Sequence, residues 1–215
     1  MASLLAIFSS ILWGSADFFG GKLSKRYQAL AVTAVSQAFG LLIGIIIILI
    51  SSSWLQPNLT WDGYFLPGVC AGLLGFIGLV AFYSGLATGR MGVVAPISAL
   101  SVLIPLTIAF INGEKPTQSQ MIGMGIALTG AVFASGPELK GGFAVKPILF
   151  AVIAAFGFGG AVAFIAKGSA TSAIMTMTTM RLATFVVALF LFAHFRTLGG
   201  FRKQDVPILV GIGGA

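Results

Sequence analysis

The sequence predicts an all-α polytopic membrane protein, an inverted repeat of five-helix modules with about seven complete helices and the start of an eighth. Three observations predict this fold. The composition is 58% hydrophobic and 8% charged, with a mean hydropathy of +1.05. Apolar stretches of about 20 residues, the length that crosses a bilayer, follow one another along the chain. An early segment also returns in altered form later in the chain.

The composition excludes a water-soluble domain, because soluble proteins carry about 25% charged residues. The 29 glycines are typical of membrane helices, in which Gly lets backbones approach closely. A net charge of +7 would suggest nucleic-acid binding in a soluble chain. Here the basic residues lie between apolar spans, so we expect them to set the orientation and to meet anionic lipid head groups, with no nucleic-acid partner.

The apolar stretches divide the chain into eight spans. Seven are complete, over residues 3–21, 30–50, 65–87, 91–111, 120–135, 147–166 and 173–195, and an eighth opens at Pro207. In lipid every backbone polar group must be satisfied within its own segment, so each span is predicted to be a helix.

Residues 6–22 and 151–167 align without a gap at an offset of 145 positions. Five of the seventeen pairs are identical, namely Ala6 and Ala151, Gly14 and Gly159, Ala16 and Ala161, Phe19 and Phe164, and Lys22 and Lys167. The same alignment sets Trp13 against Phe158. We therefore predict a first five-helix repeat over residues 1–136, a linker with Pro and Gly over 137–146, and a partial second repeat over 147–215. Five spans in one module turn the next module over in the membrane.

The basic residues predict the orientation. One side would hold nine Lys and Arg residues, namely Lys22, Lys25, Arg26, Arg90, Lys140, Lys146, Arg196, Arg202 and Lys203. The other side would hold three, Lys115, Lys167 and Arg181. The positive-inside rule makes the nine-residue side cytoplasmic and places the N-terminus outside, in a multi-pass protein of the cell membrane.

Several local patterns occur in a fixed order along the chain. They are Leu12-Trp13-Gly14 in span one, the stretch 81–87 ending span three, Pro96 and Pro105 in span four, and the run 112–116 followed by Gln120, Gly123 and Gly130 in span five. In this order the chain resembles the drug/metabolite transporter superfamily, in particular its EamA-type members. The resemblance implies two inverted five-helix repeats and secondary active transport of a small amino acid-like or drug-like solute, with export favoured and a bacterial inner membrane as the location. Since one repeat has about 145 residues, a complete member would have about 290, and we expect the chain to be C-terminally truncated.

Two charged residues inside the spans are candidate substrate contacts, because a charge in hydrocarbon is costly unless it faces a cavity or a partner. Asp17 is expected to bind a cationic group or to carry a coupling proton, and the alternative is that it reaches Lys22 or Lys25 at the interface. Arg181 is expected to bind a carboxylate or phosphate through its planar fork, and the alternative is snorkelling to the interface. The resemblance favours Arg181, since members often carry a basic residue early in the second helix of each repeat. The chain departs from that pattern in its first repeat, because the position 145 residues before Arg181 is Ser36, which is not basic.

The remaining candidate substrate contacts are aromatic or polar side chains in the spans, namely Trp13, Gln37, Tyr83, Ser84 and Phe158. For each, the alternative is a packing residue, an interface anchor or a helix-to-helix hydrogen bond. Pro96 and Pro105 interrupt the hydrogen-bond ladder of span four and are candidate gating elements.

The sequence offers little material for an enzyme. It has one His and five acids, without a Cys/His metal cluster, a phosphate-binding Gly motif or a Ser/His/Asp set, so we expect neither catalysis nor a cofactor beyond a coupling proton. The expected partners are the bilayer and a small-molecule solute, and a homodimer is left open. The competing hypothesis is a non-transporting membrane scaffold or assembly subunit. That hypothesis predicts that Asp17, Tyr83 and Arg181 do not approach one central cavity.

Overall fold

The computed structural model describes residues 2–135, 144–195 and 200–215, and all regular structure in these ranges is helical. The helices are α1 (Ala2–Ser24), α2 (Ala29–Ser51), α3 (Phe65–Thr88), α4 (Met91–Ala99), α5 (Leu103–Ile111), α6 (Gln118–Ser135), α7 (Val145–Phe195) and α8 (Val206–Gly214). Short 3-10 turns at Leu100–Val102 and Lys203–Asp205 lie between α4 and α5 and before α8. The prediction of an all-α polytopic membrane protein is confirmed.

Five helical segments in the described part of the chain are long and apolar enough to cross a membrane. They are Leu4–Ser24, Ala29–Ser51, Phe65–Thr88, Met91–Ile111 and Val145–Leu191. The last has 47 residues. At 1.5 Å per residue it is about 70 Å long, more than twice the roughly 30 Å hydrocarbon core, so it has the length of two crossings. The helices predicted for spans five and eight are present as α6 and α8, but they are not among these five segments.

The long helix α7 breaks at Ser172, whose backbone is extended (φ −163°, ψ 115°). The Ser172 hydroxyl accepts a hydrogen bond of 3.3 Å from the N–H of Met175, three residues on, which is the geometry of a helix N-cap. The break divides α7 into α7a, residues 145–171, and α7b, residues 173–195. It lies between predicted spans six and seven, as the sequence indicates.

Helix α3 lies at the centre and packs against both halves of α7. Gly78 and Gly157 face each other where α3 crosses α7a, and a Cβ on Gly157 would lie 2.6 Å from the Gly78 Cα. Further along α3, Gly85 lies against Phe150, so α3 and α7a run in opposite directions. Small residues thus set the close approach of these helices, as they do in other membrane bundles.

The other helices surround this centre. Helix α1 packs along α3 in the same direction, with Gly20 against the ring of Tyr83 and Gly21 against Leu86. Helix α2 packs against α7b and α8, where Gly44 meets Thr178 and Gly213 meets the Ser36 backbone. Helix α6 contacts α4, and most of its described side chains are exposed.

The helix directions bring the basic loops together at one end of the bundle. This basic end, as we name it, is formed by residues 22–28, Arg90, Lys146 and residues 202–203. The opposite end holds residues 52–64 and the break at Ser172. The basic residues Lys140 and Arg196 lie outside the described ranges, and so does most of the predicted linker 137–146. The last two linker residues, Val145 and Lys146, form the first turn of α7.

Candidate functional site

A cavity of about 500 Å³ lies in the middle of the bundle. Its wall is built by α1, α2, α3, α4, the 3-10 turn that follows α4, both halves of α7, and the C-terminal residues of the described chain, 212 and 215. Six of the seven predicted substrate contacts line it, namely Trp13, Asp17, Gln37, Tyr83, Phe158 and Arg181. These six residues come from five predicted spans and lie up to 168 positions apart (13 to 181), and the fold brings them to one space.

Asp17 lies on the face of α1 that lines the cavity. Trp13, Ala16 and Asp17 recur at the three- and four-residue spacing of a helix and all line the cavity. On the same face one turn later, Gly20 packs on the ring of Tyr83. In the described part of the chain no ion pair joins Asp17 to Lys22 or Lys25, so the interfacial pairing that was the alternative for Asp17 is absent.

Arg181 on α7b points at the middle of α2. Its Nη1 donates a hydrogen bond of 3.1 Å to Oε1 of Gln37. Gly40, one turn after Gln37, lies directly under the guanidinium, and a Cβ at that position would collide with Nη1. Gln37 is eight residues from the start of α2, about 12 Å along the axis. The guanidinium is therefore held against α2, about two turns inside that helix.

Aromatic rings form much of the remaining wall. Tyr83 is only 1% exposed, and the rings of Phe82 and Phe158 meet edge to face with centroids 5.6 Å apart. Trp13 is half exposed, and its Nε1 donates a hydrogen bond of 2.7 Å to the Ala215 carbonyl. Such a wall is suited to an apolar or aromatic portion of a ligand.

Ser84, the seventh predicted contact, does not line the cavity. Its hydroxyl donates a hydrogen bond of 2.6 Å to the Val80 carbonyl of its own helix. The hydroxyl is thus satisfied by the preceding turn, a common arrangement for Ser in a membrane helix. Because Tyr83 and Ser84 are adjacent on a helix, they point about 100° apart, and only Tyr83 faces the cavity.

Pro96 and Pro105 do not line the cavity either, but they flank the 3-10 turn Leu100–Val102 that interrupts span four. Pro105 has no N–H to donate to the Ser101 carbonyl one turn earlier. That carbonyl lies against α7a, where a Cβ on Gly159 would be 2.6 Å away. The prolines therefore shape the backbone next to the cavity, and their role in gating stays a prediction.

Sequence reasoning missed several cavity residues. They are mainly large apolar side chains and small hydroxyls, including Phe18, Phe76, Phe82, Met91, Met177, Met180, Ser98, Ser101 and Thr184. Many lie at helical spacing from a residue that was predicted. Residues 177, 180, 181 and 184 share one face of α7b, and residues 76, 79, 83 and 86 share one face of α3. Counting three and four residues from Arg181 and Tyr83 would have found residues 177, 184, 79 and 86.

The site combines one carboxylate, one guanidinium, one amide and a few small hydroxyls with a wall that is otherwise apolar and aromatic. Few charges and a large apolar surface are typical of a binding cavity for a small solute. The described residues contain no group of three His, Cys, Asp or Glu side chains placed to hold a metal ion. The arrangement favours binding and orientation of a solute over bond making.

Comparison with protein families gives a match over the first part of the chain. The model of the EamA-like transporter family matches residues 1–136, which is more than half of the chain and agrees with the resemblance that the sequence patterns show. No curated protein and no solved structure gives a significant match.

Proposed function

Because the chain belongs to the EamA-like transporter family, whose members are membrane transporters of the drug/metabolite kind, we propose that it moves a small metabolite through the central cavity by alternating access. One observation carries this proposal. Asp17, Gln37 and Arg181, three polar side chains from separate transmembrane helices, line one cavity at membrane depth. Ionisable side chains at membrane depth cost free energy, and helices that only pack against one another do not require them.

The internal repeat supports alternating access. Helix α1 runs toward the basic end, whereas α7a, the helix at the offset of 145 positions, runs away from it. The offset also relates residues of two different helices that line the cavity, pairing Trp13 with Phe158, Ala16 with Ala161 and Asp17 with Val162. This arrangement favours a first repeat over 1–136 and a partial, inverted second repeat over 147–215, related about the site. In transporters so built, the substrate binds at the interface of the repeats.

The chemistry of the wall indicates the kind of solute. Arg181 offers a planar donor pair for a carboxylate or phosphate, Asp17 offers a contact for a cationic group or a coupling proton, and the aromatic wall accepts an apolar body. An amino acid-like or drug-like solute fits this set. Export is the direction we propose, with the basic end in the cytoplasm of a bacterial cell and the N-terminus outside.

The placement of Asp17, Tyr83 and Arg181 around one cavity supports transport over the competing scaffold hypothesis, which expects them to be separate. The decisive test is reconstitution of the protein into liposomes. A panel of labelled zwitterionic, anionic and cationic solutes would be presented with and without a pH gradient, and protein-free liposomes would be the control. We expect flux of at least one solute above the control. The absence of both flux and binding for every solute would reject the proposal.

A further inference from the structure

A second polar cluster lies at the basic end, away from the cavity. The Asp205 side chain is only 4% exposed. Its carboxylate accepts a hydrogen bond of 2.7 Å from the Tyr27 hydroxyl and one of 3.3 Å from the backbone N–H of Arg202. The guanidinium of Arg26 lies 3.9 Å from the same carboxylate. A buried carboxylate requires several donors in good geometry, so this contact forms only when the two segments are correctly placed.

This cluster joins two separate parts of the chain. Arg26 and Tyr27 belong to the short connection between α1 and α2, and Asp205 ends the turn that leads into α8. The rings of Tyr27 and Phe201 also pack, with centroids 4.6 Å apart. The four side chains of Arg26, Tyr27, Phe201 and Asp205 are named the latch here.

An apolar layer lies between the latch and the cavity. Leu23, Val32 and Leu209, at most 2% exposed, belong to one cluster with the latch rings and with cavity residues. Along α1, Leu23 lies between Asp17 and Tyr27, and along α8, Leu209 lies between Asp205 and the cavity residue Ile212. The layer therefore lies between the latch and these cavity residues along both helices, and the latch ties together the helices that form it.

The internal repeat places a related contact at the opposite end. The offset of 145 positions takes Arg26 to Thr171, and it takes Asp205 back to Thr60. The Thr171 hydroxyl donates a hydrogen bond of 2.9 Å to the backbone carbonyl of Asp62, two residues from Thr60. This contact joins exposed residues, whereas the latch holds a buried carboxylate. The contact at the basic end thus has a buried charged acceptor and several donors, which the contact at the opposite end lacks.

We propose that the latch holds the cavity closed at the basic end, and that its opening is the step that admits or releases solute on that side. The inference rests on the proposed function, since it assigns a gate to the alternating-access cycle. Opening separates the α1–α2 connection from the start of α8. The Tyr27 hydroxyl, the Arg26 guanidinium and Asp205 then exchange their mutual contacts for water, and no covalent change is needed.

The test measures access to the cavity and needs no substrate. Ser101 lines the cavity and is half-buried, so Ser101→Cys in a Cys70→Ser background provides one reporter thiol. A membrane-impermeant maleimide is added to sealed vesicles of known orientation, with Lys25→Cys marking the basic side. We expect Tyr27→Phe, which keeps the ring, and Asp205→Asn to raise the modification rate from the basic side about tenfold, the effect of losing one hydrogen bond to a charged group.

Tyr64→Phe is the matched control. Tyr64 is 2% exposed and donates a hydrogen bond of 2.7 Å to the Leu55 carbonyl at the opposite end, so its loss should leave the rate from the basic side unchanged. Equal rates in Tyr27→Phe and the parent protein, at the same melting temperature, would overturn the latch. Faster modification from both sides would also overturn it, because that is general loosening. If Asp205→Asn does not fold, Arg26→Gln replaces it. If modification becomes faster from the basic side while no solute shows flux, that result would support the latch. It would count against the transport proposal but not against the latch.

Discussion

The guanidinium of Arg181 and the amide oxygen of Gln37 meet 3.1 Å apart across the contact between α7b and α2. The offset of 145 positions pairs Arg181 with Ser36, the neighbour of Gln37. Two helices at this offset therefore contribute adjoining side chains to one polar spot. Its geometry leads to the first two predictions.

Replacing Arg181 by Lys should lower kcat/KM for transport about ten- to hundredfold, the equivalent of one charge-assisted hydrogen bond. Lysine keeps the charge but loses the planar fork that reaches both Gln37 and a ligand anion. Initial rates of solute flux in liposomes measure the effect. Ser84→Ala is the control, because Ser84 is one of the predicted contacts but lies outside the cavity. If the lysine variant and the parent show equal flux, Arg181 does not contribute to solute recognition.

Gly40→Ala should impair transport as much as a change at Arg181 itself. The new methyl group would meet the Arg181 guanidinium and the Gly213 backbone, so either the arginine or α8 must move. We expect a loss of about 1–3 kcal/mol in the free energy of unfolding, the usual cost of overpacking. Gly14→Ala is the matched control, since Gly14 lines the same cavity and a methyl group there would have no neighbouring atom within 4 Å. Similar flux in the two variants would contradict the role given to Gly40.

Asp17→Asn should abolish accumulation of solute driven by a pH gradient and spare solute exchange. The amide keeps the size and hydrogen bonding of the carboxylate but cannot release a proton. Uptake against a gradient and counterflow are measured in the same liposomes. A variant that still concentrates solute would exclude proton coupling through Asp17, and one that loses exchange as well would assign Asp17 to solute binding instead.

Cysteine labelling should find Lys25 on the cytoplasmic side and Asn58 outside, because the basic end carries most of the Lys and Arg residues. Lys25→Cys and Asn58→Cys would each be made in a Cys70→Ser background, so that the reagent meets one thiol. Both positions are exposed, so lack of access cannot mask the result. Labelling of Lys25→Cys from outside the cell would reverse the orientation.

Gly157→Ala should destabilise the bundle more than Gly160→Ala does. A methyl group at 157 would lie 2.6 Å from the Gly78 Cα, and a backbone cannot give way without moving a helix. At 160 the nearest atom, at 2.7 Å, is the Cδ1 of Leu74, the mobile end of a side chain. We expect a difference of about 1–3 kcal/mol in the free energy of unfolding. Melting temperatures in detergent measure it, and equal values would show that the Gly78–Gly157 crossing is not a close contact in the protein.

Much of the site could be predicted from the sequence because charges are rare in this chain. Asp17 and Arg181 stand out inside apolar spans, and both line the cavity. Ser84 does not belong with them. Its hydroxyl could be satisfied either in a cavity or by its own helix, and the sequence does not distinguish the two. Asp205 looks from the sequence like any other acid in a loop, because its burial depends on Tyr27, which is 178 residues away.

The sequence by itself determined the number and order of the helices, the break near residue 172 and the clustering of basic residues at one end. These features are local. In lipid the backbone N–H and C=O groups of each helix form hydrogen bonds within that helix, and each Ser, Gly or Pro changes only the turn in which it lies. Only the tertiary structure decided which faces of the helices meet. The cavity, the pairing of Arg181 with Gln37 and the contact between Tyr27 and Asp205 depend on the rotation and depth of one helix against another. Those are set by close packing at glycines such as Gly40 and Gly78, between residues far apart in the chain.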